Sequence, residues 1–173
     1  IVVLATGAVP KTLPTNDLQQ IQIVQGNDVL MEHVSVGENI VVIGGRFVGL
    51  SVALKLAEQG KRVKVVDMEN IGSVANPRLL NYYNQKLVEH DVSFFPRSPV
   101  LAITEQGVEI VHLNFPVMLS ADTVVLAIGT QPVTALQGIV EQLKIPYCSI
   151  GDCKRIGDAL YAVRDGAEVG RLL

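Results

Sequence analysis

Residues 40–67 constrain this chain more tightly than any other segment, because they prescribe a whole strand–turn–helix–strand unit. Ile40-Val41-Val42-Ile43 is an unbroken β-branched run of the kind buried on both faces of a parallel sheet. Gly44-Gly45 breaks it, and from Phe47 to Glu58 the apolar residues Val48, Val52, Leu54 and Leu56 follow a helical period. Gly60 is placed to close that helix as a C-terminal glycine. Arg62 to Val66 is a second strand, ending on Asp67. Parallel neighbours need a crossover, and the crossover is right-handed almost without exception, so this half is expected to be a doubly wound sheet with its ligand at the strands' C-terminal ends.

The flanking sequence continues the pattern. Pro77 to His90 reads as a helix with Leu79, Leu80, Tyr83 and Leu87 on its inner face, and Val92 to Phe95 as a further strand. Val100 to Thr104 and Val108 to Leu113, separated by the turn Glu105-Gln106-Gly107, read as a small antiparallel meander. Lys11 to Glu38 is weakly patterned, with one short helix expected near Asp28 to His33. Asp122 to Ile128 is a buried run ending in Gly129-Thr130-Gln131-Pro132. It matches the opening of the chain: Val3-Leu4-Ala5-Thr6-Gly7-Ala8-Val9-Pro10 against Val125-Leu126-Ala127-Ile128-Gly129-Thr130-Gln131-Pro132. The same strand-and-turn element occurs twice. Tyr147 to Ile150 is a strand, Gly151-Asp152 its turn, and Ile156 to Leu173 a helix with Ile156, Leu160, Val163, Ala167 and Gly170 at helical spacing. The fold class expected is α/β, a Rossmann-like three-layer doubly wound parallel sheet with a small antiparallel β-meander.

Composition narrows the function. Apolar runs stay short, well under the roughly 20 residues of a membrane span, so no transmembrane segment is expected. A net charge of -3 with 5% aromatic residues offers no basic stripe for nucleic acid. A small-molecule ligand is the better default. The opening Ile1-Val2-Val3-Leu4 has neither an initiator methionine nor a signal-peptide pattern, and reads as cut from something longer. Cys148 and Cys153 form no disulfide framework and no zinc ligand set, which fits a cytoplasmic protein, and they read as small buried hydrophobes. No metal site is expected.

Gly44-Gly45-Arg46-Phe47-Val48-Gly49 nearly completes the fingerprint G-x-G-x-x-G. In it the first glycine makes the turn, the second lets a pyrophosphate approach the backbone, and the third packs helix on strand. Gly44 and Gly49 supply the first and third; Arg46 stands at the second. A helix N-terminus still offers unpaired N–H groups to a phosphate. Asp67, at the end of the following strand, is placed to accept the adenosine-ribose hydroxyls and to repel a 2′-phosphate, so NAD(H) is expected over NADP(H). A solvated strand-end acid is the plainer reading of Asp67.

The order of Ala5-Thr6-Gly7, the turn at Gly44, Ala121 to Gly129, and Ile150-Gly151-Asp152-Cys153 resembles the two-dinucleotide-domain flavoprotein reductases. In these an NAD(P)-binding domain is inserted into an FAD- or ADP-binding domain. The tail from Ile150 to Leu160, running on to Asp165-Gly166, is most similar to the NADH:flavin oxidoreductases related to 2,4-dienoyl-CoA reductase and trimethylamine dehydrogenase. The resemblance implies a partial outer domain at 1–14 and 121–173, an inserted NAD(P)-binding domain at 38–120, and a connection at 15–37. It implies that Gly44, Gly45, Arg46, Phe47, Val48, Gly49, Asp67 and Gly129 line the NAD site. Ala5, Thr6, Gly7, Gly151 and Asp152 would then belong to an FAD or ADP site. There Gly151 allows backbone approach, Asp152 binds a ribitol or ribose hydroxyl, and a helix beginning near Ile156 points its N-terminus at a pyrophosphate. Asp152 as a helix N-cap is compatible with both roles.

The departures carry equal weight. The family's first glycine fingerprint and its (β/α)8 barrel do not occur in this chain, so the implied partner is an N-terminal part of the same protein carrying the flavin-binding half and the barrel; a homo-oligomer is also compatible. Ser51 stands where many relatives carry a glutamate. No catalytic residue is expected: His33, His90 and His112 have no carboxylate or serine at a suggestive interval, and the two cysteines flank a strand end. The leading expectation is a segment that positions NADH for hydride transfer to a flavin elsewhere in the protein. The alternative is a degenerate scaffold, no longer binding NAD, in a trimethylamine dehydrogenase-like flavoprotein; Arg46 and Ser51 favour it.

Overall fold

The computed structural model describes residues 1–14, 18–73 and 77–172. Residues 15–17 of the expected connection and Leu173 at the end of the expected last helix lie outside the described residues. The chain divides into two compact units: residues 1–11 together with the chain from Gly129 onward, and Thr12–Ile128 between them. The first unit opens with β1 (Val2–Leu4) and β2 (Ala8–Pro10). The second runs β3 (Gln22–Gln25), α1 (Gly26–Leu30), β4 (Asn39–Ile43), α2 (Phe47–Glu58), β5 (Arg62–Val66), α3 (Pro77–Glu89), β6 (Ser93–Phe95), β7 (Val100–Thr104), β8 (Gly107–His112), β9 (Phe115–Ser120) and β10 (Thr123–Leu126). The first unit resumes with β11 (Thr130–Pro132), α4 (Ala135–Gln142), β12 (Tyr147–Ser149), a 3-10 turn at Gly151–Cys153, and α5 (Ala159–Leu172).

In the second unit a parallel sheet runs in the order β3-β10-β4-β5-β6. Because side chains alternate across a strand, the unbroken apolar run of β4 serves two cores at once. Ile40 and Val42 pack with Val29, Leu50, Leu56, Tyr83 and Leu87 of the helices, while Val41 and Ile43 pack with Val108, Ile110 and Leu119 of the β7-β8-β9 meander. The three layers are therefore helices, parallel sheet and meander, and the sheet's middle is fully enclosed: Val41, Val42, Val65, Val124 and Val125 have no exposed surface.

Several boundaries differ from the sequence reading. Gln22–Gln25, expected within a connection, is a sheet strand paired with β10, and Thr123–Leu126, expected in the outer domain, sits in the middle of the same sheet between β3 and β4. The β3 segment hides because an edge strand with Gln22 and Gln25 shows no continuous apolar run. The meander has a third strand, β9, which Pro116 disguises; an edge strand tolerates a residue that donates nothing to the ladder. The short helix falls at Gly26–Leu30 instead of Asp28 to His33. An additional helix, α4, precedes β12.

In the first unit β1 and β12 pair in parallel, with Leu4 opposite Ser149. Leu4, Val140 and Cys153 form a small core, flanked by Val2 and Tyr147. The repeated element reappears as a local two-fold. β2 and β11 pair antiparallel, Gln131 opposite Val9. Val133 N–H donates to the Gly7 carbonyl at 2.9 Å, and Lys11 N–H to the Gly129 carbonyl at 3.0 Å, so each copy's turn glycine receives the same bond from the residue that follows the other copy.

Candidate functional site: the glycine turn and its pocket

The three fingerprint positions do different physical work. Gly44 has φ 107°, and a Cβ there would lie 2.3 Å from the Ala127 carbonyl oxygen. At Gly49 a Cβ would lie 1.7 Å from the Gly44 carbonyl oxygen, so a glycine is what lets α2 start directly against the end of β4. Arg46 is different. Its φ of -87° and ψ of -167° are extended backbone that any residue adopts, so the missing second glycine costs the turn no strain. Arg46 is the N-cap of α2 but contributes no side-chain cap, and the first turn carries no acidic residue. The leading N–H groups of a helix have no partner within it, so this N-terminus retains the donors and the positive dipole end that suit an anion.

Asp67 joins the turn to the next strand. Its Oδ2 accepts Gly45 N–H at 2.6 Å and its Oδ1 accepts Glu69 N–H at 2.8 Å. The carboxylate is thus committed to backbone on both oxygens and keeps lone pairs for further donors. Glu69, two residues on, pairs with the departing side chain: Arg46 Nη2 stands 3.4 Å from Glu69 Oε2, with the two side chains 54% and 56% exposed. Ser73 Oγ donates to the same Glu69 oxygen at 3.1 Å.

Beside the turn lies a pocket of about 400 Å³, within the usual range for small-molecule sites. Gly44, Arg46, Asp67 and Glu69 form its polar side, and Pro99 and Val100 belong to its apolar side. The glycine positions that a Cβ would fill, the donor set at the head of α2 and this pocket fit a dinucleotide. Ser98, fully buried, also lines the pocket. Its hydroxyl donates to the Pro96 carbonyl at 2.9 Å and pairs with His112 Nδ1 at 2.8 Å. His112 therefore does have a serine partner, which chain spacing concealed. The Phe95 ring meets His112 edge-on at 5.3 Å and completes the packing.

Of the remaining expected residues of this site, Phe47 and Val48 are in the first turn of α2, whereas Gly129 belongs to the other unit, with φ 89°. Ser51 Oγ bonds the Phe47 carbonyl at 2.9 Å and the Tyr83 hydroxyl at 2.7 Å.

The other candidate group assembles at one end of the β1-β12 ribbon. Ala5-Thr6-Gly7 follows β1 and Gly151-Asp152 follows β12, joined by Ile150 N–H to the Leu4 carbonyl at 2.9 Å. Asp165, noted in sequence only as part of the tail, clamps this turn. Its Oδ2 accepts Gly151 N–H at 3.0 Å and its Oδ1 pairs with Lys154 Nζ at 2.9 Å. The Lys154 ammonium and the Gly151 N–H hold the Asp165 carboxyl below its ordinary range. The helix expected near Ile156 begins at Ala159, and its cap is Asp158, whose Oδ1 accepts Tyr161 N–H at 3.1 Å. Asp152 instead accepts Gly157 N–H at 3.2 Å, ahead of the helix. Gly157 and Asp158 delay the helix by about a turn relative to its apolar spacing.

Cys148 and Cys153 are free thiols, and Cys153 is buried, with its Sγ 3.1 Å from the Leu4 and Ile150 carbonyl oxygens. Among the described residues no cluster of three or more His, Cys, Asp or Glu side chains is placed to hold a metal ion, and no helix is long and apolar enough to cross a membrane.

A parallel sheet with a glycine turn at the head of a helix and an acid at the end of the next strand defines a Rossmann-like α/β fold. The chain belongs to the pyridine nucleotide-disulphide oxidoreductase family, whose sequence profile matches residues 1–155. It is 32% identical to the metal reductase of Desulforamulus reducens, over 92% of this chain and 29% of that protein. It is also 32% identical to the cinnamate reductase of Clostridium sporogenes, over 98% of this chain and 26% of that protein. Among solved structures, a 2-naphthoyl-CoA reductase in complex with 2-naphthoyl-CoA is similar with a TM-score of 0.84 and 28% identity, covering 97% of this chain and 26% of that one. The chain thus spans under a third of the length of these relatives.

Proposed function

We propose that Thr12–Ile128 is the NAD(H)-binding part of a flavin-dependent oxidoreductase. The observation that carries this reading is the hydrogen bond from Gly45 N–H to Asp67, which ties the glycine turn at the head of α2 to the end of β5 beside the pocket. When bound, the nicotinamide supplies a hydride and a flavin held elsewhere in the full-length protein receives it. The chain's own residues bind and orient. The N–H groups at the start of α2 would hold the pyrophosphate, Asp67 would accept the adenosine-ribose hydroxyls on its spare lone pairs, and Pro99 and Val100 would keep water from the apolar part of the pocket. Asp67 and Glu69 together put negative charge on the pocket lining, which would disfavour the added charge of a 2′-phosphate and favour NAD(H) over NADP(H).

Ala5-Thr6-Gly7 with Gly151-Asp152 is proposed as this chain's share of an FAD or ADP site, completed by the N-terminal part of the same protein. The full protein is read as a cytoplasmic relative of the dienoyl-CoA reductase and trimethylamine dehydrogenase group. A scaffold that has lost NAD is favoured by Ser51, whose hydroxyl is tied to Tyr83 in place of a carboxylate near the nicotinamide.

Titrating the chain with NADH, NADPH and ADP, followed by heat and by nicotinamide fluorescence, tests the reading. Saturable NADH binding, weakened about tenfold or more in Asp67→Ala and weaker for NADPH, is the expected result. Absence of binding at millimolar cofactor would leave the scaffold.

A further inference from the structure

Glu69 is the residue that the fingerprint does not predict, and it holds the one side chain that departs from it. We propose that the Arg46–Glu69 pair is a charge switch on the nucleotide site. Glu69 parks the guanidinium beside the turn when the site is free, and Arg46 exchanges that carboxylate for a pyrophosphate oxygen when a dinucleotide enters. The inference rests on the NAD(H) reading of this unit.

The contact is single-pronged and, at 3.4 Å, long beside the roughly 2.7–2.9 Å of a good charge-assisted hydrogen bond. Both side chains are more than half exposed, so water screens the pair and opening it costs little. Glu69 keeps a partner after Arg46 leaves, because Ser73 Oγ already donates to the same oxygen. Arg46 itself is the N-cap of α2 and lines the pocket, so its guanidinium and the helix's leading N–H groups bear on the same anion. Its ordinary φ means that the backbone need not move for the exchange. Arginine also suits the acceptor, since its planar fork matches phosphate oxygens.

The test is an NADH titration of the full chain at low and high salt, with wild type, Glu69→Gln, Arg46→Gly, Arg46→Lys and the Glu69→Gln/Arg46→Gly double variant, each checked for folding by a thermal melt. Glu69→Gln is expected to tighten NADH about twofold, the most an exposed pair of this strength can withhold, and Arg46→Gly to weaken it about three- to tenfold and flatten the salt dependence. Arg46→Lys is expected to fall between wild type and Arg46→Gly, and Glu69→Gln to have no effect once Arg46 is gone. Tighter binding in Arg46→Gly would overturn the proposal by making the side chain an obstruction. An equal effect of Glu69→Gln with and without Arg46 would overturn it by making Glu69 a simple repulsive charge. In both of those cases NADH still binds and the NAD(H) reading stands; binding by none of the proteins would remove that reading and the switch together.

Discussion

One strand-and-turn element occurs twice in this chain, and its two copies live in unlike surroundings. In the Val125 copy the strand is β10, flanked on both sides by parallel neighbours, with all four residues buried. In the Val3 copy the strand is β1, paired only with β12, and Val3 is 38% exposed. The helices follow suit: α2 buries seven residues, whereas none of the described residues of α5 is buried despite its apolar stripe. Local sequence therefore sets the element, and the layers around it set what a substitution costs.

The sharpest way to break that comparison is at the glycines. Gly49→Val would drive a side chain into the Gly44 carbonyl, a backbone atom that cannot step aside. The expected loss is about 3 kcal/mol or more, read as a fall in the denaturant midpoint with loss of the turn's amide protection. Next comes the buried face of α2: Leu50, with no exposed surface, should cost about 2–4 kcal/mol on truncation to alanine, while Leu160 of α5, 72% exposed, should stay within about 0.5 kcal/mol. Equal losses at Leu50 and Leu160 would contradict the difference between the units. At Gly129 a Cβ would meet nothing within 4 Å, so Gly129→Ala carries only the strain of its φ of 89°, about 1–2 kcal/mol.

A carboxylate clamp in each unit sharpens the same contrast. Burial pushes the Asp122 carboxyl up, but N–H bonds from Asn39 and Glu38, the Asn39 amide and the Thr123 hydroxyl outweigh it and hold the group below its ordinary value of 3.8. A depressed folded-state pKa contributes stability that is full above the unfolded value and is lost as pH falls through the folded one. The difference between wild type and Asp122→Asn, about 1 kcal/mol after discounting for partial exposure, should be flat at neutral pH and shrink below about pH 4. Urea titrations at several pH values check it. Asp165 obeys the same sign but is solvent-screened, so its removal should free the Gly151 turn in hydrogen exchange before it moves the melting temperature.

The β4–α2–β5 stretch was readable because its signals are local: a β-branched run, a helical period and a closing glycine lie within a few residues of the bonds they predict. α2 falls at Phe47–Glu58 and β5 at Arg62–Val66, as their sequence patterns suggested. What stayed hidden depends on partners distant in the chain. β3 is a strand because β10 lies beside it, Pro116 is tolerated because β9 is an edge, and Ser98 finds His112 only once the meander folds back. The site shows the same division. Gly44, Gly49 and Asp67 announce themselves by spacing, while Glu69 acquires meaning only from where Arg46 points.

The smallest expected effect concerns that last pair. If Arg46 and Glu69 were structural, breaking them would cost stability; the exposure of both side chains and the long contact argue that it does not. Exposed pairs of this kind contribute about 0–1 kcal/mol, so Glu69→Gln should shift the unfolding free energy by no more than about 0.5 kcal/mol. That near-silence in a melt is what gives a change in NADH affinity its meaning. A variant that leaves the fold untouched and still moves the binding curve places the pair's work in the exchange between the free and the ligand-bound site. A variant that melts early places it in the architecture of the turn, alongside the clamp that Asp67 makes on Gly45.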